Sequence, residues 1–333
     1  MTMFSDGMRR RWMMGEGKYL VVKGTSGLGN RLLSLTSGIL YARITGRDLV
    51  VDWGGGRYPG DPDSCFYCLF ECPDALTLGG GSLDPDMSVA PAAWKGHLDQ
   101  QYGVMKRRGV DDLSIDLSRT DYEEDVVVFG NYTQMTASIR AHLRGEWSRY
   151  AELDNVQLMS RILRTSVRPR PHLARRVSGF RSDHLRGRVI GVHVRHSDMK
   201  IEVDQYFPII DRLLKWRKAD IFLSTDNRAV EDMFKQRYDR VIVRDKWLPE
   251  PGNKVHLNPE CPDVSRAEED AAIDMFLLAG CRYLVFSPKS SFGLVASLFS
   301  ISPRYRRIAV EKGIEFRAVH WLKAVRDKYM EMR

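Results

Sequence analysis

An arginine at the end of an apolar segment is the residue in this chain best placed to bind an anion. Residues 188–194 predict a short buried strand, and His193 and Arg195 lie where that strand turns polar. Ligands of parallel α/β sheets bind beyond the carboxyl ends of the strands. A guanidinium held there can bind a phosphate through two parallel hydrogen bonds. Arg195 is therefore a candidate phosphate-binding residue, and a structural ion pair is the alternative.

Two carboxylates in the same half of the chain have the setting of site residues. Asp226 follows the predicted strand 220–224, so it can orient the Arg195 guanidinium, cap the helix that follows, or do both. Asp274 interrupts an apolar stretch of the predicted helix 265–280. A buried carboxylate needs hydrogen-bond donors, and the N1–H and N2–H2 groups of a guanine base are a suitable pair. A paired or solvated helix acid is the alternative.

Two serines follow the last predicted strand of this half. Ser290 and Ser291 come after strand 282–286, and either can be the N-cap of the next helix. The free amides of a first helical turn bind anions, and Lys289 adds positive charge. The sequence therefore predicts a second phosphate-binding feature at this sheet edge, with an ordinary capped helix as the alternative.

A glycine-containing loop near the start of the chain is a further candidate site. Four residues between strand 19–23 and the next predicted helix can contact an anion or a sugar: Gly27, Gly29, Asn30 and Arg31. The dinucleotide fingerprint needs a third glycine, but Leu32 stands at that position. Asp52 nevertheless lies where a ribose-binding acid would be expected. An NAD(P)-dependent oxidoreductase is therefore the main alternative, and a tight structural turn is the other.

The composition is that of a globular protein with two domains. The chain has 333 residues, of which 43% are apolar and 28% charged. No run reaches the roughly 18–20 apolar residues of a membrane span, so no integral membrane segment is expected. Residues 1–18 lack the apolar core and cleavage site of a secretory signal. These features predict a cytoplasmic protein.

The net charge of +8 is concentrated in one stretch. Residues 161–188 contain nine arginines and a single acid, Asp183. Such a stretch can attract a polyanion, and a polyanion-binding protein is a second alternative function. No nucleic-acid recognition module accompanies it, so nucleic acid is not expected as a partner. A solvated surface is the favoured interpretation.

Possible metal sites are weak in this sequence. Cys65, Cys68 and Cys72 form a candidate cluster, but no fourth ligand stands nearby. The segments 61–63 and 84–86 both read Asp-Pro-Asp, and both fall in an irregular region rich in turn residues. No metal is expected at any of them.

The order of predicted elements indicates an α/β fold with parallel sheets. Strands alternate with helices in the second half, which implies a parallel sheet covered on both faces. The prolines within 168–171 predict a domain junction. We expect two Rossmann-like domains that face a cleft. The predicted division is a disordered segment 1–17, an N-terminal domain 18–165, a C-terminal domain 166–310 and a helical segment 311–333.

Taken in order, these segments resemble the GDP-fucose-dependent fucosyltransferases of the α1,6 and protein O-fucosyl type, including NodZ-like nodulation enzymes. The resemblance rests on the segments Gly-Leu-Gly-Asn-Arg at 27–31, His-Val-Arg-His-Ser-Asp at 193–198, Phe-Leu-Ser-Thr-Asp at 222–226, and residues 274–292. It spans most of the chain. It implies a GT-B-type fold, a GDP-sugar donor bound in the C-terminal domain, a carbohydrate or glycoconjugate acceptor, and no metal.

The resemblance also implies roles for individual residues. Arg195 is expected to hold the diphosphate, and Asp226 to orient that arginine. The remaining donor contacts implied are the guanosine contacts His193 and Asp274, the phosphate contact Ser290 or Ser291, and the N-domain residues Gly27, Gly29, Asn30 and Arg31.

The expected reaction is an inverting sugar transfer. The departing nucleotide gains negative charge, which Arg195 and a helix N-terminus can stabilise. A carboxylate must take the proton of the acceptor hydroxyl, and it must lie within hydrogen-bond distance of that group. Asp198, Glu202 and Asp204 are the candidates, with Glu202 as first choice.

Overall fold

The computed structural model describes residues 17–54, 65–77, 83–131, 136–196, 202–216, 218–250 and 260–310. The chain divides into two compact units, with the boundary between Arg170 and Pro171. This boundary lies inside the proline-rich stretch in which the sequence predicts a junction. The predicted terminal segments lie outside the described residues, apart from Gly17. Within the described residues, no helix is long and apolar enough to cross a membrane.

The first unit contains a five-stranded parallel sheet. The described strands of this unit in chain order, including two outside the sheet, are β1 (Tyr19–Lys23), β2 (Asp48–Asp52), β3 (Phe70–Glu71), β4 (Ala75–Leu76), β5 (Val89–Ala90), β6 (Val126–Phe129) and β7 (Arg168–Pro169). The sheet has the order β4-β2-β1-β6-β5, and β3 pairs separately with β7 in antiparallel fashion. The central strand β1 is buried along its whole length, as its apolar sequence predicts.

The described helices of the first unit surround this sheet. They are α1 (Leu28–Thr45), α2 (Cys65–Leu69), α3 (Tyr102–Arg107) and α4 (Asn155–Ser166). Helix α1 ends at Gly46, whose φ of 67° is a left-handed conformation that glycine adopts without strain. Two 3-10 helices, Thr136–His142 and Gly145–Tyr150, precede α4.

The second unit also contains a five-stranded parallel sheet. Its strands are β8 (Val189–Val194), β9 (Asp220–Thr225), β10 (Val241–Ile242), β11 (Tyr283–Phe286) and β12 (Arg307–Ala309). The order is β10-β9-β8-β11-β12, and every pair is parallel. Its helices are α5 (Pro171–His184), α6 (Phe207–Trp216), α7 (Arg228–Arg237), α8 (Val264–Ala279) and α9 (Ser291–Phe299). The predicted α/β class is confirmed.

Two elements of the second unit are missing from the sequence prediction. Strand β12 has three residues, too few to show a periodic pattern. Helix α5 occupies part of the arginine-rich stretch and has one fully buried apolar side chain, Leu173. In α5, Arg176 contacts Glu269 at 2.5 Å and Asp270 at 3.0 Å, both on α8. Arg176 therefore stabilises helix packing, whereas seven of the nine arginines of the stretch are exposed, in keeping with a solvated surface.

Candidate functional site

The chain order of the second sheet reverses between β8 and β11. These strands are neighbours, with His193 opposite Phe286, although three helices and two strands separate them along the chain. Loops leave such a point in opposite directions and open a crevice beyond the carboxyl ends of the strands, where ligands of open α/β sheets bind. The predicted site residues on these two strands therefore meet at the position in the sheet that most favours a ligand.

His193 lies in this crevice with an unused hydrogen-bonding atom. Its side chain is 6% exposed, and its ring stacks on Phe292 with centroids 4.9 Å apart. Among the residues that the structure describes, its Nδ1 has no hydrogen-bond partner. A Cβ atom on Gly293 would lie only 2.8 Å from that nitrogen, so glycine keeps the space beside it open.

The imidazole of His193 is neutral at physiological pH. Burial is the main cause that lowers its pKa to about 4. The carboxylates of Asp226 and Asp274 oppose this shift, whereas Arg195 and Lys246 add to it. His193 is therefore surrounded by two acids and two cations, and in the neutral form it can donate or accept one hydrogen bond toward a ligand.

Ser290 is the second buried polar group without a partner. It is the N-cap residue of α9, as predicted, but its side chain makes no capping hydrogen bond. Its residue exposure is 2%, and its Oγ meets no partner within the described part of the chain. Ser291 is the first residue of the helix. The hydroxyl of Ser290 and the first-turn amides of α9 are therefore both available to an anion.

Arg195 and Asp226 follow the ends of paired strands. Strands β8 and β9 are in register up to Val194 and Thr225, so the two charged residues continue from neighbouring positions of the sheet. The Asp226 carboxylate accepts a hydrogen bond of 2.8 Å from the backbone N–H of His196, which fixes the chain just after Arg195.

The helix cap considered for Asp226 belongs to another residue. Asn227 is the N-cap of α7 and accepts from the Val230 N–H over 3.2 Å. Capping by Asp226 is therefore wrong, because its carboxylate points to the backbone beyond β8 instead. Asp226 therefore acts at the carboxyl edge of the sheet, where it holds the backbone that follows β8.

Asp274 is buried and fully surrounded by donors. It is 1% exposed and accepts from Ser224 Oγ at 2.9 Å, Arg244 Nη1 at 2.9 Å and Lys246 Nζ at 2.5 Å. Burial by itself raises its pKa, but the nearby Lys246 and Arg244 outweigh burial and hold the pKa below its usual range. Asp274 is therefore an ionised carboxylate in a paired cluster, as in the alternative interpretation of the sequence.

Arg244 and Lys246 are the site residues that sequence reasoning missed. Arg244 also donates to the Asp270 carboxylate at 2.6 Å, so Asp270 and Asp274 share one face of α8 as their spacing predicts. The available signal was an alternation of two cations just after the short strand β10. Because residues i and i+2 of an extended segment lie on the same side, both cations can face the acids of one helix.

The glycine loop of the first unit is organised around Ser26. This residue has a φ of 62°, the one positive φ at a non-glycine residue in the described chain. Asn30 donates to its hydroxyl at 2.9 Å, and the buried Arg31 donates to its carbonyl at 3.0 Å. Arg31 also lies over the Trp53 ring, 5.7 Å from its centroid. Gly27 is the N-cap of α1, and its neighbour in the first turn, Gly29, is buried.

The acid expected for a dinucleotide ribose is already engaged. Asp52 Oδ2 forms an ion pair with the buried Lys23 at 2.5 Å, and its Oδ1 accepts from the Gly54 N–H at 2.8 Å. The missing third glycine and this pairing both disfavour an NAD(P) site at the loop.

Two of the three candidates for the catalytic base are exposed to solvent in the structure. Asp198 falls outside the described residues. Glu202 and Asp204 are exposed and stand at the 3-10 turn before α6, where Glu202 accepts from Gln205 at 2.6 Å. All three therefore stay predictions.

The candidate metal ligands of the first unit show no metal-binding cluster among the described residues. Cys68 and Cys72 form no disulfide bond within the described residues, and burial raises the pKa of Cys72 to about 12, so Cys72 is an inert thiol. The side chain of Cys65 and the segment 61–63 lie outside the described residues. Asp84 accepts from the Asp86 N–H within a local turn. Over the described ranges, no group of three or more His, Cys, Asp or Glu residues could hold a metal ion.

Known sequences similar to this chain include one family model and several nodulation proteins. A model of the xyloglucan fucosyltransferase family matches residues 8–58. Nodulation protein Z of Azorhizobium caulinodans is 27% identical over 312 residues, covering 85% of this chain and 89% of that protein. Nodulation protein Z of Bradyrhizobium diazoefficiens is 24% identical over 309 residues, covering 85% of this chain and 79% of that protein.

Comparison with solved structures gives the same fold. The NodZ α-1,6-fucosyltransferase soaked with GDP-fucose aligns with a TM-score of 0.59 and 21% identity, covering 85% of this chain and 93% of that one. A mutant of Arabidopsis thaliana FUT1 in complex with GDP aligns with a TM-score of 0.57 and 19% identity, covering 91% of this chain and 76% of that one. The GT-B-type fold and the resemblance predicted from the sequence are confirmed.

Proposed function

We propose that this chain is a GDP-fucose-dependent fucosyltransferase, an inverting enzyme that transfers fucose from a GDP-sugar to a carbohydrate hydroxyl. The relatives that span most of its length are nodulation Z proteins, and the matching structures include fucosyltransferases with GDP or GDP-fucose. Fucose is the sugar named for those structures. The acceptor is a carbohydrate or glycoconjugate of unspecified linkage.

One observation in the second unit carries the proposal. Two buried polar atoms without partners among the described residues, His193 Nδ1 and Ser290 Oγ, lie at the point where the strand order reverses. A buried polar atom without a partner costs free energy that a ligand can recover. Arg195 and the N-terminus of α9 stand at the same edge, so the ligand favoured here carries negative charge and hydrogen-bonding oxygens, as a nucleoside diphosphate does.

The reaction that suits this site is a single displacement. An acceptor oxygen forms a bond to the anomeric carbon, while the bond from that carbon to the diphosphate oxygen breaks and its electron pair leaves with GDP. Arg195 and the α9 amides stabilise the charge that grows on the diphosphate. The acceptor proton goes to a carboxylate, with Glu202 as first choice over Asp198 and Asp204.

The first unit is proposed to serve the acceptor and the donor sugar. Its candidate residues are Gly27, Gly29, Asn30 and Arg31, of which the last two hold the loop through Ser26. The pairing of Asp52 with Lys23 speaks against the dinucleotide alternative. The cytoplasmic location and the independence from metal ions stay predictions.

The proposal is tested by GDP binding and by sugar transfer from GDP-fucose. Calorimetry should show GDP binding that is unchanged by EDTA. Arg195→Ala should weaken GDP binding and lower transfer by about 100-fold or more, the usual cost of removing one charge-stabilising group. Arg212→Ala, an exposed arginine on α6, is the matched control and should behave as wild type. Wild-type transfer in Arg195→Ala, or no GDP binding by the wild-type protein, would overturn the proposal.

A further inference from the structure

The edge of the second sheet that lies opposite the proposed donor site is lined with positive charge. All five strands of this sheet are parallel, so their first residues share one edge. A cation lies one or two residues before each strand, and neighbouring strands are about 4.8 Å apart, so the cations form a row about 20 Å long. In the order of the sheet, the members of this basic row are Arg240, Lys218, Arg188, Arg282 and Arg306.

Backbone hydrogen bonds fix the basic row at this edge. The carbonyls of Arg188 and Arg240 each accept from an N–H at the start of β9 over 3.0 Å. The Arg282 N–H donates to the Val189 carbonyl over 3.2 Å. These residues therefore belong to the amino ends of the strands, and their positions are as well defined as the sheet itself.

Acidic side chains neutralise little of the basic row. Asp220 pairs with Arg240 at 3.0 Å, but the Arg240 side chain stays 74% exposed. Within the described residues, no carboxylate forms an ion pair with Lys218, Arg188 or Arg282. These three cations therefore leave the edge with an excess of positive charge.

The residues that flank the basic row do not remove this excess. The exposed acids Asp183 and Asp239 lie close to it in the chain, and the exposed cations Arg186 and Arg304 offset them. Helices α5, α6 and α7 also end at this edge, and the partial negative charge of a helix C-terminus favours nearby cations. Charge alone therefore agrees with an ordinary solvated surface.

Two large apolar side chains at the same edge require another explanation. Ile301 is 78% exposed and Tyr305 is 62% exposed, and both lie in the connection from α9 to β12. Across the described ranges, the one other exposed large apolar side chain is Met233 on α7. Apolar surface in water costs free energy, and helix dipoles do not account for it. A partner with an apolar phase accounts for both side chains.

The connection that carries these side chains is held against the sheet. Ser302 Oγ donates to the Cys281 carbonyl, next to the start of β11, over 3.0 Å. The Arg306 N–H donates to the Pro303 carbonyl over 2.9 Å, and the Arg306 guanidinium lies 5.2 Å from the centroid of the Tyr305 ring. The exposure of the apolar side chains is therefore part of a defined structure beside the basic row.

We propose that this edge docks onto an anionic phospholipid bilayer. Ile301 and Tyr305 enter the headgroup region, where apolar and tyrosine side chains are stabilised, and the basic row faces the lipid phosphates. A nucleic acid supplies phosphates but offers no apolar phase to Ile301. The proposed donor site lies at the opposite end of the six-residue strand β8, about 20 Å away, so docking leaves it open. The inference does not depend on the sugar that is transferred.

Vesicle flotation of the full chain tests the docking. The protein should bind vesicles of phosphatidylcholine with 30% phosphatidylglycerol at least about tenfold more strongly than vesicles of phosphatidylcholine alone. Since salt screens the attraction, 0.5 M NaCl should release most of the bound protein. Equal binding to both compositions, or binding to neither, would overturn the inference.

A double substitution tests the contribution of the basic row. Arg188→Gln combined with Arg282→Gln should weaken binding to the anionic vesicles about 20-fold, because each cation near a charged lipid surface contributes about fivefold. Arg107→Gln combined with Arg108→Gln, at the end of α3 in the first unit, makes the same change in charge and should bind as wild type. Equal affinities of the two double variants would place the contact elsewhere and contradict the proposal.

A single substitution distinguishes a bilayer from other polyanions. Ile301→Ser should weaken binding to the anionic vesicles about tenfold and leave binding to heparin unchanged, because heparin has no apolar phase. Met233→Ser is the matched control and should bind the vesicles as wild type. Both side chains are exposed, so neither change should unfold the protein. If Ile301→Ser binds the vesicles as wild type does, the edge is a general polyanion surface and the bilayer proposal fails.

Discussion

The two sheets of this protein handle buried polar groups at their carboxyl edges in opposite ways. In the first unit, Lys23 at the end of β1 donates to Asp52 and to the carbonyls of Leu98 and Gln100. These acceptors satisfy all three N–H groups of the ammonium. The cluster joins the end of a central strand to a loop more than 70 residues away in sequence, and it is complete without a ligand.

The corresponding edge of the second unit is incomplete. His193 Nδ1 and Ser290 Oγ are buried without partners in the described chain, and Lys246 uses one of its three donors. Both sheets are parallel and five-stranded, so the difference lies in side chains and not in architecture. A satisfied cluster rigidifies a fold, whereas an unsatisfied one persists where a ligand completes it. The comparison therefore supports a stabilising role for the first cluster and the proposed ligand-binding role for the second.

Removal of the Lys23 ammonium should give the largest effect on stability. Lys23→Met leaves Asp52 and two carbonyls without their donor, and breaking a buried pair costs about 3–5 kcal/mol. Hydrogen exchange should become faster over β1 and β2 and stay as in wild type over β8 and β9, which serve as the internal control. Unchanged exchange over β1 would contradict the view that this cluster stabilises the first unit.

Acid should destabilise the second unit through His193. The unfolded chain takes up a proton as the pH falls through 6.5, but the folded imidazole does so only near 4. The unfolded state therefore binds more protons in this window, and folding stability falls by about 3 kcal/mol between pH 6.5 and 4. Denaturant titrations at several pH values should show that the free energy of unfolding falls less steeply with decreasing pH in His193→Gln than in the wild type. Acids present in both proteins, Asp274 among them, contribute equally to this pH dependence. Parallel curves of unfolding free energy against pH would therefore refute the role of His193.

The smallest expected effect concerns two buried serines that differ in pairing. Ser290→Ala removes a hydroxyl without a partner in the described chain. The free energy of unfolding should therefore stay within about 0.5 kcal/mol of wild type, while GDP binding becomes about tenfold weaker. Ser166→Ala removes a hydroxyl that accepts from Arg43 at 2.6 Å, so it should cost about 1 kcal/mol of stability and leave GDP affinity unchanged. Calorimetry and denaturant unfolding of both variants measure the contrast. The opposite pattern would show that Ser290 is structural.

Much of the second unit was predictable from local sequence. Helix α8 lies one residue earlier in the chain than the predicted 265–280, and α9 follows the predicted N-cap Ser290, because apolar periodicity and capping residues are short-range signals. The placement of Arg195 at a strand end also followed from the apolar run before it. Helix α4 was missed although Asp154 and Gln157 form its capping box, a signal that the sequence contains.

The elements that escaped prediction have weak local signals. Helix α5 is rich in arginine and buries little apolar surface, so its sequence favours a solvated basic surface and gives no clear helical pattern. Its stability comes from Arg176 and the acids of α8, more than 90 residues away. Propensity and periodicity cannot reveal such a contact, because it depends on how two distant helices pack.

The sequence by itself determined the α/β class, the strand that precedes Arg195 and the helix start at Ser290, since each depends on residues close together in the chain. Tertiary structure decided which polar groups are satisfied. Arg244 and Lys246 reach Asp274 from 30 and 28 residues away, and Lys23 reaches Gln100 from 77. Whether a buried donor or acceptor finds a partner depends on contacts between distant segments, and that decides which sheet edge is satisfied and which one keeps unpaired polar atoms among the described residues.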